Sequence, residues 1–358
     1  MSHSTFSPLA AGDCAALPAG DVAKLRAEPQ AVRSTGHERL AGFDIARAIA
    51  AIAVVWLHSA QSAELSRYNN AWKFGTALMG FMAAYFLVQS VRHRPYQLVA
   101  SHVGTRFRRL MVPFALWCLI ALLPGFIRAI SGRSELPSVP ISALWLGTTY
   151  HLWFLPFIFV ISALSIPLVF QIIRAPHLAR PAAVVLAGIG LTICVLRPLP
   201  VDHFSSQSPF HEVLIHRAPS FLWGLAFALW WLHVDRFRVF WAGATTAIVI
   251  AAALIALCIG GNVNLMLTHR IAAFALAIAA FAPWRGELPR LLGLLGKLSF
   301  GIYLIHPFII AALNKLLGMA GMPEGPWHDV VVFAVTLPTT AALTLVIRRT
   351  QYTRWAVP

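Results

Sequence analysis

The stretch Arg39-Leu-Ala-Gly-Phe-Asp44-Ile-Ala-Arg47 runs without a break into the apolar segment 48–57 and stops at His58. On an α-helix, the step from Arg47 to His58 turns roughly 1100°, so these side chains point within about 20° of each other, and Asp44 lies about 60° from Arg47. A carboxylate, a guanidinium and an imidazole on one face of an apolar helix are costly in lipid, and they must face a protein interior or a wet cavity. The stretch therefore predicts a membrane helix with a functional face.

A simpler interpretation of the same residues is also open. Asp44 and Arg47 have the spacing of a structural ion pair on one helix. His58 would then be an interfacial residue at a helix end.

Composition places the chain in a membrane. Of 358 residues, 58% are hydrophobic and 11% are charged, which leaves too little polar surface for a soluble domain of this size. The net charge of +15 does not indicate a nucleic-acid partner, because the basic residues are strung between apolar segments rather than gathered on one domain. The four cysteines lie far apart and contain no C-x-x-C pair, so neither a disulfide framework nor a metal site is expected.

Ten apolar runs of near-spanning length predict an all-α polytopic bundle of about ten transmembrane helices. Their approximate bounds are 40–60, 72–90, 110–130, 151–171, 181–196, 211–232, 239–259, 264–283, 296–316 and 328–347. The segment 134–150 is predicted to be a re-entrant or interfacial piece. Residues 1–38 are expected to form a disordered cytoplasmic tail, 39–350 the transmembrane domain, and 351–358 a short cytoplasmic tail.

The basic residues are distributed unevenly between the two sets of loops. With ten helices, most of the 28 Lys and Arg lie in the tails and the even-numbered loops. By the positive-inside rule both termini are expected in the cytoplasm, with His151 and the loop around Asp202 on the outer side. Asp44 and Arg47 would then lie in the inner half of the first helix, and His58 near its outer end, about 16 Å further along.

Arg106 and Arg109 lie one turn apart, just before the third apolar run and Pro113. A guanidinium pair at a helix start suits a phosphorylated ligand, because arginine offers bidentate donors and the helix end adds backbone N–H groups. Anionic lipid headgroups, or a role in topology alone, would explain the pair equally.

Seven further residues are candidates for binding the substrate, because each places a polar or aromatic side chain in or beside an apolar run: His151, Trp153, Arg217, Arg270, Ser299, Tyr303 and His306. The last three share one face of the ninth helix. Ordinary roles exist for all seven, since tryptophans anchor at membrane interfaces, single arginines snorkel and polar stripes pack helices together.

Together these pieces resemble the acyltransferase 3 family, integral-membrane bacterial enzymes that O-acylate sugars of surface and secreted polysaccharides. The resemblance spans about residues 39–347 and rests on motifs that follow in order: Asp44-x-x-Arg47 with His58, Arg106-x-x-Arg109 with Pro113, His151-Leu-Trp-Phe-Leu, Arg217-x-Pro-x-Phe-x-x-Gly224, and Ser299-x-Gly-Ile-Tyr-Leu-x-His306. Late in the second helix the family usually has a Ser-Gly pair, where this chain has Ala83-Ala84-Tyr85. The chain is similar to the stand-alone form, which has no added periplasmic hydrolase-like domain.

The resemblance implies that a short acyl group, such as acetyl, passes from cytoplasmic acyl-CoA to a hydroxyl of a saccharide or lipid-linked glycan at the outer side of a bacterial inner membrane. His58 would act as general base, since an imidazole can remove the hydroxyl proton. Arg47 would position the donor phosphate or stabilise the oxyanion, and Asp44 would orient Arg47. Arg106 and Arg109 would bind the donor. Membrane lipids are the other expected partners, and no metal is expected.

Two other functional classes are open. Buried charges also mark the substrate pathways of transporters and flippases, although the chain shows no internal repeat. A membrane sensor or assembly factor could use the same fold without catalysis. The presence of both Arg47 and His58 favours the enzyme.

Overall fold

The computed structural model describes residues 41–357 except 134, 150, 197–209, 235–236 and 260–262. Within these ranges the chain is helical and contains no strand. The described residues form ten helices of 15 to 33 residues, in chain order α1 Ala41–Ser59, α2 Phe74–Arg92, α3 Val99–Ile130, α4 Phe154–Arg174, α5 Ala179–Leu196, α6 Phe210–Trp230, α7 Trp241–Ile259, α8 Leu265–Ala279, α9 Glu287–Met319 and α10 Pro326–Arg349. The expected tail 1–38, Arg39 and the loop around Asp202 lie outside the described residues.

The predicted polytopic bundle is confirmed, with one short helix. In the described part of the chain, 9 helices are long and apolar enough to cross a membrane, whereas α8 has 15 residues. At 1.5 Å per residue α8 is about 22 Å long, less than the roughly 30 Å of hydrocarbon. It still runs from one end of α1 to the other. His269 near its start contacts the carbonyl of Asn70, and the residues after its end, including Trp284, pack on Gly42.

The start of α1 and the end of α10 lie at the same end of the bundle. Gly296 on α9 touches the main chain of Asp44, and Nη1 of Arg348 donates to the carbonyl of Lys297 at 2.7 Å. An even number of crossings produces this arrangement. We call this the Asp44 end, and we call the opposite end, where α1 finishes, the His58 end.

Two helices begin earlier than their apolar runs predict. The helix α3 begins at Val99 rather than near 110, and α9 begins at Glu287 rather than near 296. The predicted bounds followed apolarity, but Leu, Arg and Lys are good helix formers in water as well as in lipid, so each helix continues beyond its apolar part. Arg106 and Arg109 therefore lie about two turns inside α3. The prediction that they lie at a helix N-terminus is wrong.

The segment before α4 and the segment after α10 both have local structure. The segment predicted to be re-entrant or interfacial contains an irregular part, 135–140, and a one-turn helix, Ala143–Leu146. Residues 351–357 fold back on the bundle, where Val357 is buried against Phe114. Nε1 of Trp117 donates to the carbonyl of Ala356 at 3.1 Å. The end of the chain is thus packed on α3 rather than extended.

Glycines bring helices into backbone contact. A Cβ on Gly296 would lie 1.7 Å from the carbonyl oxygen of Asp44, and one on Gly224 would lie 2.4 Å from that of Phe81. Ala84 lies in the second contact, with its Cβ 2.9 Å from the same ideal position. Small residues pack membrane helices closely, because lipid supplies no hydrophobic force between them. Ala83 and Ala84, where the resemblance leads one to expect a Ser-Gly pair, are small enough to permit close approach of α2 and α6.

Candidate active site

Three imidazoles meet at the His58 end of the bundle, and we call them the imidazole cluster: His58, His151 and His306. The rings of His58 and His306 stack, with centroids 5.4 Å apart and planes at 25°. The rings of His151 and His306 meet edge to face at 5.3 Å. His306 is 0% exposed and His151 is 2% exposed, whereas His58 is partly exposed. His58 is therefore the most exposed member of the cluster.

A buried carboxylate fixes the turn that follows His58. The backbone N–H of Ser62 donates to Oδ2 of Asp329 at 2.8 Å. Asp329 belongs to the first turn of α10, is 4% exposed, and lies beside His328, whose Nδ1 is 3.8 Å from its Oδ1. A buried acceptor bonded to a backbone N–H typically contributes about 1–3 kcal/mol. Asp329 thus ties the end of α1 to α10.

The ring of His306 has a defined protonation pattern. Its Nδ1 lies 2.8 Å from the carbonyl oxygen of Tyr303 and 3.2 Å from that of Ile302. Carbonyls only accept hydrogen bonds, so we assign the proton to Nδ1 and leave Nε2 as the acceptor. Nε2 is buried and has no hydrogen-bond partner among the described residues. In the same part of the chain, no group of three or more His, Cys, Asp or Glu is arranged to hold a metal ion.

The segment before α4 joins the imidazole cluster to two neighbouring sites. The hydroxyl of Tyr303 donates to the carbonyl of His151, which holds this segment against α9. Burial lowers the pKa of His151 to about 3, and the nearby His58 adds to the effect, so His151 is neutral at pH 7. The ring of Trp153 covers Arg217, whose Cζ is 5.1 Å from the ring centroid. The ring of Phe154 lies 5.9 Å from that of Tyr303.

Arg217 and Arg270 line one small cavity between α2, α4, α6 and α8, which we call the arginine cavity. It has room for about one water molecule, and its walls include Thr76, Gly80, Phe154, Arg217, Ser220 and Arg270. Arg270 is 6% exposed and bonds the carbonyls of Met266 and His216. The two arginines, 53 positions apart in sequence, therefore face the same small space.

Asp44 and Arg47 form an ion pair at the opposite end of α1. Oδ1 of Asp44 and Nη1 of Arg47 are 3.2 Å apart, and Cζ of Arg47 lies 4.7 Å from the ring centroid of Phe86. Asp44 is 3% exposed. Along the helix, Arg47 lies about 16 Å and Asp44 about 21 Å from His58. The structure therefore does not bring Asp44 and Arg47 into the imidazole cluster.

Arg106 and Arg109 have different surroundings, although they share one helix. Nη1 of Arg106 donates to Oγ of Ser162 on α4 at 3.1 Å, and the side chain is partly buried. Arg109 is exposed. Only Arg106 therefore points into the bundle.

A family model described as an acyltransferase domain matches residues 40–349. The chain belongs to the acyltransferase 3 family. Members of this family transfer acyl groups. The protein is therefore a multi-pass membrane acyltransferase, and the acyl group that it transfers is not an aminoacyl group. Searches of curated proteins and of solved structures found no match.

The residues of this acyltransferase that sequence motifs singled out fall into three places. His58, His151, Tyr303 and His306 meet in or beside the imidazole cluster, and Trp153, Arg217 and Arg270 surround the arginine cavity. Asp44, Arg47, Arg106 and Arg109 lie toward the Asp44 end. Ser299 is buried on α9, about 10 Å from His306 along the helix, and thus outside the cluster.

Three polar residues of the acyltransferase site were missed by sequence reasoning. Asp329 carries a weak signal, because it is an acidic residue at the start of an otherwise apolar run. Ser162 and Ser220 carry none, since serines are common inside membrane helices and only their contacts with Arg106 and the arginine cavity distinguish them.

Proposed function

We propose that this acyltransferase moves an acetyl or other short acyl group from cytoplasmic acyl-CoA to a hydroxyl of a cell-surface, lipid-linked or periplasmic saccharide, in the inner membrane of a bacterium. One observation carries the proposal. The helix α1 holds a restrained guanidinium at one end and a partly exposed imidazole, stacked on a second imidazole, at the other. These are the two groups that an anionic donor and a hydroxyl nucleophile require.

The Asp44 end is the donor side in this proposal. The even-numbered loops and the end of α10 at this end are rich in Lys and Arg, which favours the cytoplasm by the positive-inside rule. Asp44 holds Arg47 in place, and a guanidinium so restrained offers paired N–H donors to a phosphate. Arg106 and Arg109 lie in the half of α3 that is nearer the Asp44 end, and they would add further contacts to the donor phosphates. Because Arg47 is about 16 Å from His58, it suits the donor phosphates rather than the oxyanion.

His58 serves as general base at the other end. A hydroxyl is a weak nucleophile, and a neutral imidazole removes its proton as the oxygen attacks the thioester carbonyl carbon. The C–S bond then breaks, and the proton returns from the imidazole to the departing sulfur. His306 restrains the ring of His58 by stacking, and Tyr303 holds His151 beside it. Trp153, Arg217, Arg270 and Ser299 are assigned to the acceptor side.

Replacement of His58 by alanine tests the proposal. Acyl transfer by purified His58→Ala protein should fall about a hundred-fold to ten-thousand-fold, the usual contribution of a general base, with acyl-CoA affinity nearly unchanged. His177→Ala is the matched control, because His177 is exposed in the short turn between α4 and α5 and should retain full activity.

The variant His306→Ala tests whether His306 acts as the general base or only restrains the ring of His58 by stacking. Loss of stacking alone should cost less activity than loss of His58. Near-normal turnover in a well-folded His58→Ala protein would contradict the assignment of His58 as general base. A larger loss of turnover in His306→Ala than in His58→Ala would indicate that His306 is the base. Both variants need melting temperatures close to that of the parent protein.

A further inference from the structure

The turn after His58 is held by two side chains from other parts of the protein. His58 is the second-last residue of α1, and Ser62 follows it by four positions. The backbone N–H of Ser62 donates to Oδ2 of Asp329 at 2.8 Å. Nδ2 of Asn69 donates to the carbonyl of Ala60, also at 2.8 Å. Because Asp329 is buried, the low local dielectric strengthens its bond. The backbone is therefore fixed immediately beyond His58.

The helix α10 also holds the backbone before His58. Phe333 lies one turn after Asp329 on α10, and its ring meets that of Trp56 edge to face, with centroids 5.0 Å apart. Trp56 precedes His58 by two positions. One helix thus holds the chain on both sides of His58, through an aromatic contact before it and a hydrogen bond after it.

The ring of His58 rests on a neighbour that is itself fixed. His306 on α9 is 0% exposed, and Nδ1 of its ring lies 2.8 Å from the carbonyl oxygen of Tyr303. Its ring stacks on that of His58 at 5.4 Å. A movement of the end of α1 would therefore change the distance and the angle between the two rings. The stacked geometry depends on the contacts that α10 makes.

We propose that Asp329 is a positioning residue for acyl transfer, because its bond to the backbone of Ser62 keeps the imidazole of His58 in place. The inference rests on the proposed function, since it takes His58 to be the general base. In this role Asp329 acts through His58 rather than on the substrate. A general base must lie within about 3 Å of the hydroxyl, and a misplacement of about 1 Å can cost about a hundred-fold in rate.

The position of the His58 ring can be measured without acyl transfer. In NMR spectra of the full-length protein in detergent, with ¹³C-labelled histidine, the ring signal of His58 is the one that His58→Ala removes. Its chemical shift depends on stacking, because an aromatic ring shifts the signals of protons above its face. Asp329→Ala should move this signal. Asp329→Asn should leave it near the parental position, since an amide oxygen still accepts from the N–H of Ser62.

Two further variants make this measurement specific. Asn264→Ala is the control, because Oδ1 of Asn264 accepts from the backbone N–H of Leu267 at 3.0 Å and Nδ2 donates to the carbonyl of Cys194 at 3.1 Å. Its Tm should fall at least as much as that of Asp329→Ala, with the His58 signal unchanged. Phe333→Leu removes the aromatic contact before His58. It should move the His58 signal even if Asp329→Ala folds poorly.

Turnover gives a second readout. Membrane vesicles from expressing cells receive labelled acetyl-CoA, and label in the glycan fraction is compared with vesicles that lack the protein. Asp329→Ala should lower turnover about ten-fold to a hundred-fold and leave the donor KM within about two-fold, because Arg47 lies at the other end of α1. Asp329→Asn should restore most of the turnover. Added to His58→Ala, Asp329→Ala should have no further effect, since residues that act as a unit are not additive.

Two results would overturn the proposal. The first is a parental His58 signal in folded Asp329→Ala and Phe333→Leu proteins. The second is a further loss of turnover when Asp329→Ala is added to His58→Ala, which would mean that Asp329 acts by another route. Normal turnover in His58→Ala would instead overturn the assignment of the base, whereas the NMR signal would still report whether Asp329 holds the ring. The two proposals therefore fail separately.

Discussion

Gly296→Ala tests the backbone contact between α1 and α9. An ideal Cβ at this position would lie 1.7 Å from the carbonyl oxygen of Asp44, 2.4 Å from its carbonyl carbon and 2.8 Å from its Cα. These are backbone atoms, which cannot rotate away, so the helices must separate by more than about 1 Å to restore ordinary contact. Overpacking of this kind costs about 3 kcal/mol, offset by about 1 kcal/mol from the better helix propensity of alanine. The net loss is about 2 kcal/mol, or roughly 3 °C in Tm for a domain of this size.

Gly293→Ala is the matched control for this substitution. Gly293 lies one turn earlier on α9, and a Cβ there meets nothing within 4 Å. This variant should melt at the parent temperature or slightly above it. Unfolding in detergent can be followed by the fluorescence of the 12 tryptophans. Gly296→Ala should also raise the donor KM, because the displaced main chain carries Asp44 and thus Arg47. Identical melting of the two variants would refute the backbone contact.

Three further predictions concern other parts of the molecule. Arg106→Ala should raise the donor KM by about ten-fold or more, which is the effect of losing a charged contact. Arg109→Ala should raise the donor KM less, because Arg109 is exposed. If the parent protein and Arg106→Ala had equal donor KM, Arg106 would serve only topology or packing. Thiol labelling tests the topology in a variant without the four native cysteines. A cysteine in place of Gln351 should react only with reagent on the cytoplasmic side, and a cysteine in place of Ser206 only with reagent added outside. Labelling at position 351 from outside would contradict the predicted orientation of the chain. Asp329→Ala should lower the Tm by the equivalent of about 1–3 kcal/mol and Asp329→Asn by less, and a parental Tm in Asp329→Ala would show that the bond to Ser62 contributes nothing.

The order and type of the helices could be predicted because lipid requires long apolar runs and helical period fixes which residues share a face. The shared face of Asp44 and Arg47 appears as their ion pair for this reason. The positions where helices start could not be predicted as well, because nothing in the polar stretch before Pro113 distinguishes a loop from a helix that extends into water. Apolarity ends there, and helix propensity does not.

Contacts between distant segments could not be predicted from one sequence. Asp329 bonds the backbone of Ser62 across 267 positions, and neither residue type predicts the other. The arginine cavity likewise needs four helices, and the sequence alone presents Arg217 and Arg270 as two separate arginines, each with the option of snorkelling. The motifs indicated which side chains matter but not which of them meet.

The contact of Gly296 with Asp44 also bears on how fast the enzyme can turn over. Two touching backbones leave no room for an extended chain between α1 and α9 at that level. Higher on α1, the carbonyl oxygen of Ala50 is 2.9 Å from an ideal Cβ on Gly75, so the α2 side is closed as well. The interfaces of α1 with α9 and with α2 are thus each closed at one level. If the proposed mechanism holds, a donor that starts at the Asp44 end would not reach His58 along these two interfaces unless the helices part, and opening of the bundle would then contribute to the turnover rate.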